Sequence, residues 1–343
     1  MSQVDASRLS RSESALVSIE DVDVSFDVGD GKWLQAGRGL NLKIKAGEMI
    51  AVIGESGCGK STLGKLALGV LAPSRGQVRF DGHDVWAPGY RWPKAQRLGV
   101  QVIHQDPFSS LNPVRTLAQI LAPALKYHRL SQGHAATRQR VHELLVEVGL
   151  TPTEAFIDKY PFQLSGGQKQ RVSIARATLL KPRLIIADEP VAAVDSSLRL
   201  AILDLMKQSN REQGTAFLYI THDLATARYF APEGQLVVMY LGRMVETGQI
   251  EACISRPAHP YLQALLAAIP GSSTWRADGE LPLRSLEMPS PIDPPSGCVF
   301  HPRCPYADAR CADEAPSLRS LSPGHEVACH HAEDLNHRIL TQA

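Results

Sequence analysis

The sequence predicts an α/β fold built around a mainly parallel sheet. Three observations carry that prediction. Residues 49–53 (Met-Ile-Ala-Val-Ile) form a strand-length apolar run that leads through a glycine-rich loop into a helical stretch over 62–70. Residues 184–187 and 216–220 are two further apolar runs, with residues 198–206 between them reading as a helix. Strands that are apolar throughout and alternate with helices are what a covered parallel sheet requires. Ahead of all of these, residues 16–26 and 40–44 alternate apolar with polar positions, so a small antiparallel sheet opens the domain.

The loop after the first apolar run reads Gly54-Glu55-Ser56-Gly57-Cys58-Gly59-Lys60-Ser61, followed by Thr62. This is the phosphate-binding pattern G-x-x-x-x-G-K-[ST]. Glycines let successive backbone N–H groups turn inward around phosphate oxygens, where a Cβ would obstruct them. Lys60 can reach the β- and γ-phosphates, the Ser61 hydroxyl can ligate Mg²⁺, and the next helix points its N-terminus at the anion. The expected ligand is a nucleoside triphosphate with magnesium. Cys58 fits the loop as a small residue; the alternative is a thiolate favoured by the loop's backbone dipoles and open to alkylation.

Bulk properties narrow the class. The 343 residues leave room for one large core and a smaller domain. A formal net charge of +1 does not supply the basic field of a nucleic-acid protein. No apolar stretch approaches the roughly 18 residues of a membrane span. Residues 1–14 are polar and Ser-rich, lack the apolar centre of a secretory signal, and read as a disordered tail. A cytoplasmic chain is expected, reaching any membrane through partners.

The remaining elements follow in order. Residues 75–82 (Arg-Gly-Gln-Val-Arg-Phe-Asp-Gly) read as a strand ending in a turn, and 236–241 as another buried strand. Periodicity from 117 to 150 is helical, with Val141, Leu144, Leu145 and Val148 on one face. Near residue 250 the composition shifts: 12 of the 23 prolines lie from Pro257 onward, and regular periodicity fades. This sets a nucleotide domain at 15–250, with a helical part at about 106–180, and a C-terminal extension at 251–343.

Two strings complete the nucleotide site. Residues 183–189 (Arg-Leu-Ile-Ile-Ala-Asp-Glu) form a buried strand with an acid pair at its C-terminal end, the edge where open α/β sheets bind ligands. Asp188 can hold Mg²⁺, and Glu189 is placed to polarise an attacking water. Residues 164–168 (Leu-Ser-Gly-Gly-Gln) place Ser165 as the N-cap of a helix over 168–180, with Gly166 and Gly167 leaving N–H groups unobstructed at its start.

In these strings, their order and their spacing, the chain resembles the ATPase subunits of ABC transporters over about residues 16–335. The resemblance implies an ABC nucleotide-binding domain: a RecA-like core, an N-terminal antiparallel subdomain and a helical subdomain bearing the signature motif Leu164–Gln168. It also implies roles. ATP with Mg²⁺ lies on Gly54, Ser56, Gly57, Cys58, Gly59, Lys60, Ser61 and Thr62, and a second subunit supplies Ser165, Gly166, Gly167 and Gln168 to the γ-phosphate. Gln105, in Ile103-His104-Gln105-Asp106-Pro107, senses Mg²⁺ and water; His222, in Tyr219-Ile220-Thr221-His222-Asp223, contacts the γ-phosphate; Asp195 lies in the loop that crosses the dimer. Phe26 stacks on adenine, with Trp33 the other candidate. His104 stands where the family often has Phe, and Ala192-Ala193-Val194-Asp195 where it often has Ser-Ala-Leu-Asp, which removes one hydroxyl from the interface loop.

The extension identifies the branch. His259-Pro260-Tyr261-Leu262-Gln263-Ala264-Leu265-Leu266 and the run from Pro294 through Cys298 and Cys304 to Pro305 are similar to the C-terminal region of oligopeptide and dipeptide importer ATPases; nickel importers of that group look alike here. The resemblance implies two transmembrane permeases, an extracytoplasmic solute-binding protein, and a position on the cytoplasmic face of the inner or plasma membrane. The run from Pro289 to Cys298 leans toward one of two paired ATPases, hence a heterodimer. Other readings are a small-solute importer, an exporter, or a soluble ABC ATPase acting on DNA or ribosomes; the latter class usually carries coiled coils or paired nucleotide domains, and neither is seen here.

Cys298, Cys304, Cys311 and Cys329 crowd this extension, with gaps that match neither the usual zinc pairs nor a ferredoxin run. Spacing leaves the metal open. The resemblance implies a [4Fe–4S] cluster on these four; the alternatives are zinc, with His301, His325, His330 or His331 sharing the site, and no metal at all. A proline-rich extension with few apolar residues needs such a staple.

Overall fold

The computed structural model describes residues 15–269 and 281–335, so the expected tail at 1–14 lies outside the described residues. Its strands, in chain order, are β1 (Ala15–Asp27), β2 (Trp33–Lys45), β3 (Met49–Ile53), β4 (Arg75–Phe80), β5 (His83–Asp84), β6 (Val100–Ile103), β7 (Leu184–Asp188), β8 (Ala216–Thr221), β9 (Gln235–Tyr240), β10 (Arg243–Gln249), β11 (Arg319–Ser322) and β12 (His325–Val327). The chain divides into two units, one of residues up to Tyr90 together with those from Tyr219 onward, the other Arg91–Leu218. The C-terminal residues share a unit with the phosphate loop.

In the first unit, β1 and β2 form the expected antiparallel pair, and β4 and β5 extend it in the order β2-β1-β4-β5. The alternation does what it encodes: Val17, Ile19, Val22 and Val24 of β1 and Leu40 and Ile44 of β2 are buried. Asp81 and Gly82, both at positive φ, make the turn after β4. The second sheet of this unit runs β11-β12-β10-β9-β3. Here β3 lies parallel to β9, with Ile50 opposite Gln235 and Ile53 opposite Val238. Leu241 and Gly242, also at positive φ, reverse β9 into antiparallel β10.

In the second unit, β6 and β7 are parallel, with Val100 opposite Leu184 and Ile103 opposite Ala187. Helices Leu117–Tyr127, Gly133–Glu147, Gly166–Thr178 and Ser196–Gln213 accompany them. The helical stretch expected across 117–150 is thus two helices. The chain breaks at Arg129, whose positive φ a helix interior does not accommodate, and the second helix starts at Gly133, also at positive φ. Val141, Leu144 and Leu145 share the buried face, and Val148, the C-cap residue, is buried as well. Strand β8, buried along its length, carries the chain back into the first unit.

Regular structure continues past residue 250, where fading periodicity is expected. Helices Ile250–Ser255 and Pro260–Ala267 follow β10 directly, and β12 pairs with β10 through Glu246–Val327 and Gly248–His325. A three-residue strand leaves no periodicity to read. Ala258, Val327, Cys329, Ala332 and Leu335 form a small core beneath it. Among the described residues no helix is long and apolar enough to cross a membrane.

Candidate functional site

The phosphate loop leaves β3 at its C-terminal end. A Cβ at Gly54 would collide with the Met239 carbonyl oxygen, and one at Gly59 with that of Ala36, so the neighbouring strands leave room for glycine only. Lys60 is buried, and its Nζ donates to the carbonyl oxygens of Gly54 at 2.8 Å and Glu55 at 3.0 Å. The ammonium is therefore held across the loop. Ser56 and Gly57 are exposed on the loop; Ser61 is exposed and Thr62 half-buried in the first turn of helix Lys60–Ala67. Lys60 and a glycine cradle that a Cβ would fill make the donor set a triphosphate needs, with Ser61 beside it for Mg²⁺. Cys58 is 1% exposed, and burial pushes its thiol up. Its environment favours the small packed residue over the activated thiolate.

Two aromatics stand near the end of the first hairpin. Phe26 pairs with Leu34 across β1 and β2, while Trp33 pairs with Asp27; both rings are partly exposed. Trp33 also lines a surface cavity with Asp293 and Pro294 of the proline run. His222 is exposed directly after β8, and the next residue, Asp223, caps helix Leu224–Phe230 by accepting from the N–H groups of Ala225 and Thr226.

The second unit brings its own residues together. The β6–β7 register sets Gln105 and Glu189 two residues beyond paired positions, and Gln105 Nε2 donates to Glu189 Oε2 at 3.3 Å. Glu189 adopts φ +45°, so the chain turns sharply as it leaves Asp188. Partial desolvation and the Arg176 guanidinium push His104 down against the pull of Asp188, so a neutral ring occupies this position.

The signature helix Gly166–Thr178 begins at a capping box. Ser165 Oγ accepts from the Gln168 N–H at 3.3 Å, and Gln168 Oε1 accepts from the Ser165 N–H at 3.0 Å. A Cβ at Gly166 would lie 3.1 Å from the Ala193 carbonyl oxygen, and one at Gly167 would lie 2.9 Å from Leu198 Cδ1. These glycines therefore let the signature helix approach the 192–198 segment, which contains exposed Asp195. The sequence reading assigned them to anion binding and missed this packing role.

Cys298, Cys304, Cys311 and Cys329 carry free thiols, three buried and Cys298 half-buried. Burial raises all four, Cys304 and Cys329 to about 12, and Cys329 lies within electrostatic reach of the other three. The Cys298 N–H donates to the Cys311 carbonyl at 2.8 Å, which ties two of the loops together. Four soft donors in one neighbourhood fit a thiolate-bound metal group. His331 Nε2 lies 3.5 Å from Cys311 Sγ and 3.3 Å from Asp308 Oδ2.

Several residues of evident structural weight carry no sequence signal. Buried Glu246 accepts the N–H groups of Ala258 and His259, at 3.0 and 2.7 Å, and lies 2.8 Å from His325 Nε2. It thereby joins β10, β12 and the start of helix Pro260–Ala267. Arg303 grips Glu55 of the phosphate loop across 248 positions. Only neighbours in sequence, a cysteine for one and a phosphate motif for the other, mark the places to look.

Comparison with known proteins agrees with this anatomy. The model of a family described as "ABC transporter" matches residues 38–192, and that of "Oligopeptide/dipeptide transporter, C-terminal region" matches 245–311. The oligopeptide transport ATP-binding protein OppF of Escherichia coli (strain K12) is 39% identical over 323 residues, covering 92% of this chain and 95% of its own. The putative oligopeptide transport ATP-binding protein YkfD of Bacillus subtilis (strain 168) is 40% identical over 316 residues, with the same 92% and 95% coverage. Among solved structures, a dimeric post-hydrolysis state of the ATP-binding cassette MJ0796, bound to ADP and Pi, aligns with a TM-score of 0.59 at 29% identity, covering 68% of this chain and 98% of that one. The structure of cbiO1 from Clostridium perfringens, part of an ABC transporter complex, gives 0.58 at 26% identity, with 71% and 92% covered. With relatives aligned over nearly their whole length and a phosphate loop built as the family requires, the chain belongs to the ABC transporter ATPases, among the ATP-binding proteins of oligopeptide transport.

Proposed function

We propose that this chain is the motor of a peptide importer, binding and hydrolysing ATP at the cytoplasmic face of a membrane to drive uptake of di- and oligopeptides through two permease subunits. The observation that supports this most is the joining, in one unit, of the phosphate loop to a C-terminal region of the oligopeptide/dipeptide type. Lys60 and the loop N–H groups bind the β- and γ-phosphates. Ser61, Gln105 and Asp188 would hold Mg²⁺, which would supply positive charge against the phosphate oxygens. Glu189 takes the proton of the attacking water, and its hydrogen bond from Gln105 orients the carboxylate. His222 contacts the γ-phosphate, Phe26 stacks on adenine, and Ser165, Gly166, Gly167, Gln168 and Asp195 face the partner's nucleotide. The partner is a second, different ATPase subunit, and a solute-binding protein outside the membrane delivers the peptide.

The four cysteines would hold a [4Fe–4S] cluster, which would staple the extension. Among the described residues, the tight donor sets are Asp308–Cys311–His331 and Glu246–Cys253–His325; the four sulfurs do not form one. Iron and sulfide near four per chain after anaerobic purification are expected; zinc near one with iron below one would replace the cluster by a zinc site.

Uptake tests the transport assignment. In cells lacking the gene, wild type restores uptake of labelled dipeptides or longer peptides, and Glu189→Gln does not. Restored nickel uptake without peptide uptake would move the cargo to the metal branch, and no dependence of either on the gene would remove the importer assignment.

A further inference from the structure

We propose that Arg303 is a positioning residue for the nucleotide site, and that the cysteine-bearing segment sets ATP affinity through it. The Arg303 side chain is 6% exposed, and its Nη1 and Nη2 donate to the two carboxylate oxygens of Glu55 at 2.8 and 3.1 Å. The guanidinium also donates to the Tyr240 hydroxyl and the Ser285 carbonyl, each at 3.4 Å. Its orientation is thus fixed on three sides.

Glu55 is the second residue of the phosphate loop, and each of its polar groups is engaged. Arg303 takes the carboxylate, the Tyr261 hydroxyl accepts the backbone N–H at 2.8 Å, and the carbonyl accepts from Lys60 Nζ at 3.0 Å. Two of these three partners come from the C-terminal extension. Their bearings are rigid: Tyr261 packs on Tyr240 with ring centroids 4.7 Å apart, and Phe300 meets Tyr240 edge-on at 5.2 Å. A partly buried bidentate Arg–carboxylate pair fixes direction as well as distance, and loss of either member leaves the other desolvated without its partner.

The turn that presents Arg303 is bounded by two of the four cysteines. The His301 N–H donates to the Cys298 carbonyl, the Arg303 N–H to Phe300, and the Cys304 N–H to His301. Whatever sets the positions of Cys298 and Cys304 therefore sets the guanidinium, the Glu55 backbone, and the carbonyl that shares Lys60 with the incoming phosphate. A plain staple would add stability and leave affinity alone; this bridge ends on Glu55, one of the two residues whose carbonyls hold the Lys60 ammonium. The Arg303–Glu55 coupling stands on its own geometry, whereas any effect of metal loading rests on the cluster assigned under the proposed function.

The test compares Arg303→Met, Arg303→Lys, Glu55→Gln and Cys304→Ser, with Glu55→Gln combined in turn with Arg303→Met and with Cys304→Ser, all in the full chain. MgATP affinity is read by calorimetry and folding by Tm. Arg303→Met and Glu55→Gln should each raise Kd about tenfold, their double variant should be no weaker than either alone, and Arg303→Lys should fall between. Cys304→Ser should raise Kd similarly, with no further effect on top of Glu55→Gln. A folded Arg303→Met with Kd within twofold of wild type, or losses that multiply to about a hundredfold in a double variant, overturns the proposal. Should Arg303→Met fail to fold, Glu55→Gln, at the more exposed end of the pair, and Arg303→Lys decide it by the same limits. Iron and sulfide assayed on the same wild-type samples report separately: metal-free protein with the Arg303 effects intact removes the cluster and leaves the brace.

Discussion

Helices Lys60–Ala67 and Gly166–Thr178 both start at glycines, and they start differently. Helix Lys60–Ala67 starts from Gly59 in a left-handed conformation, with no side chain accepting from its first N–H groups. Helix Gly166–Thr178 is closed by the reciprocal Ser165–Gln168 capping box. Every helix start presents N–H groups that lack an intrahelical partner. At the phosphate loop they are kept for a ligand, and Lys60 is held across them. At the signature helix they are partly satisfied within the chain, so this start is a finished surface, stable before a nucleotide reaches it. One start leaves its N–H groups for a ligand; the other meets part of that need from within the chain.

A change that touches neither start gives the largest expected effect and calibrates the rest. Glu189→Gln should lower turnover by about 10²–10⁴, the range for a lost general base, while ATP still binds; a parallel loss of affinity would merge binding with chemistry. Lys60→Ala strikes the first start and should weaken ATP binding by about 10–10², as for loss of a charge-assisted hydrogen bond, with little change in Tm. Normal affinity in that variant would count against the loop assignment.

A third start sharpens the contrast. Helix Pro260–Ala267 begins at His259, whose Nδ1 accepts from the Tyr261 N–H at 3.1 Å. Burial pushes this imidazole down to about 3, so it folds neutral. Between that value and its unfolded pKa of about 6.5 the unfolded chain binds the extra proton, so the contribution to stability is full above about pH 6.5 and is lost as pH falls. About 2 kcal/mol should disappear between pH 6.5 and pH 5, read from urea midpoints; His259→Asn keeps a capping side chain and should remove that part of the slope. The smallest effect belongs to the signature start. Ser165→Ala should cost about 1 kcal/mol of stability and leave the ATP affinity of the single chain unchanged. A fall in affinity like that of Lys60→Ala would erase the distinction between the two starts.

The elements that could be read from the sequence are those whose cause is local. The apolar run of β3 and its loop, the acid pair after β7, and the Ser165 cap all sit within a few residues of the features that announce them. The Leu117–Tyr127 and Gly133–Glu147 helices merged in the reading because Arg129 carries no mark of its positive φ. Strand β12 was invisible because three residues have no period, and its pairing is fixed by Glu246 and His325, 79 positions apart. Gly166 and Gly167 were read for their N–H groups, and their packing against Ala193 and Leu198 needed coordinates. The site's chemistry is a matter of short strings; its bracing is a matter of tertiary contacts between residues that look ordinary alone.

The Glu55–Arg303 pair has a consequence for the order in which the protein comes into being. A polypeptide is made from its N-terminus, and its early parts can begin to fold before the rest exists. The loop that grasps ATP is therefore made early, and the guanidinium that fixes it arrives 248 residues later. A nascent or truncated chain ending before Arg303 has every residue of the phosphate loop and lacks its brace. Translation through the cysteine-bearing turn thus becomes a condition for a finished nucleotide site, and a fragment does not match the full-length chain where the two meet the same ATP pool.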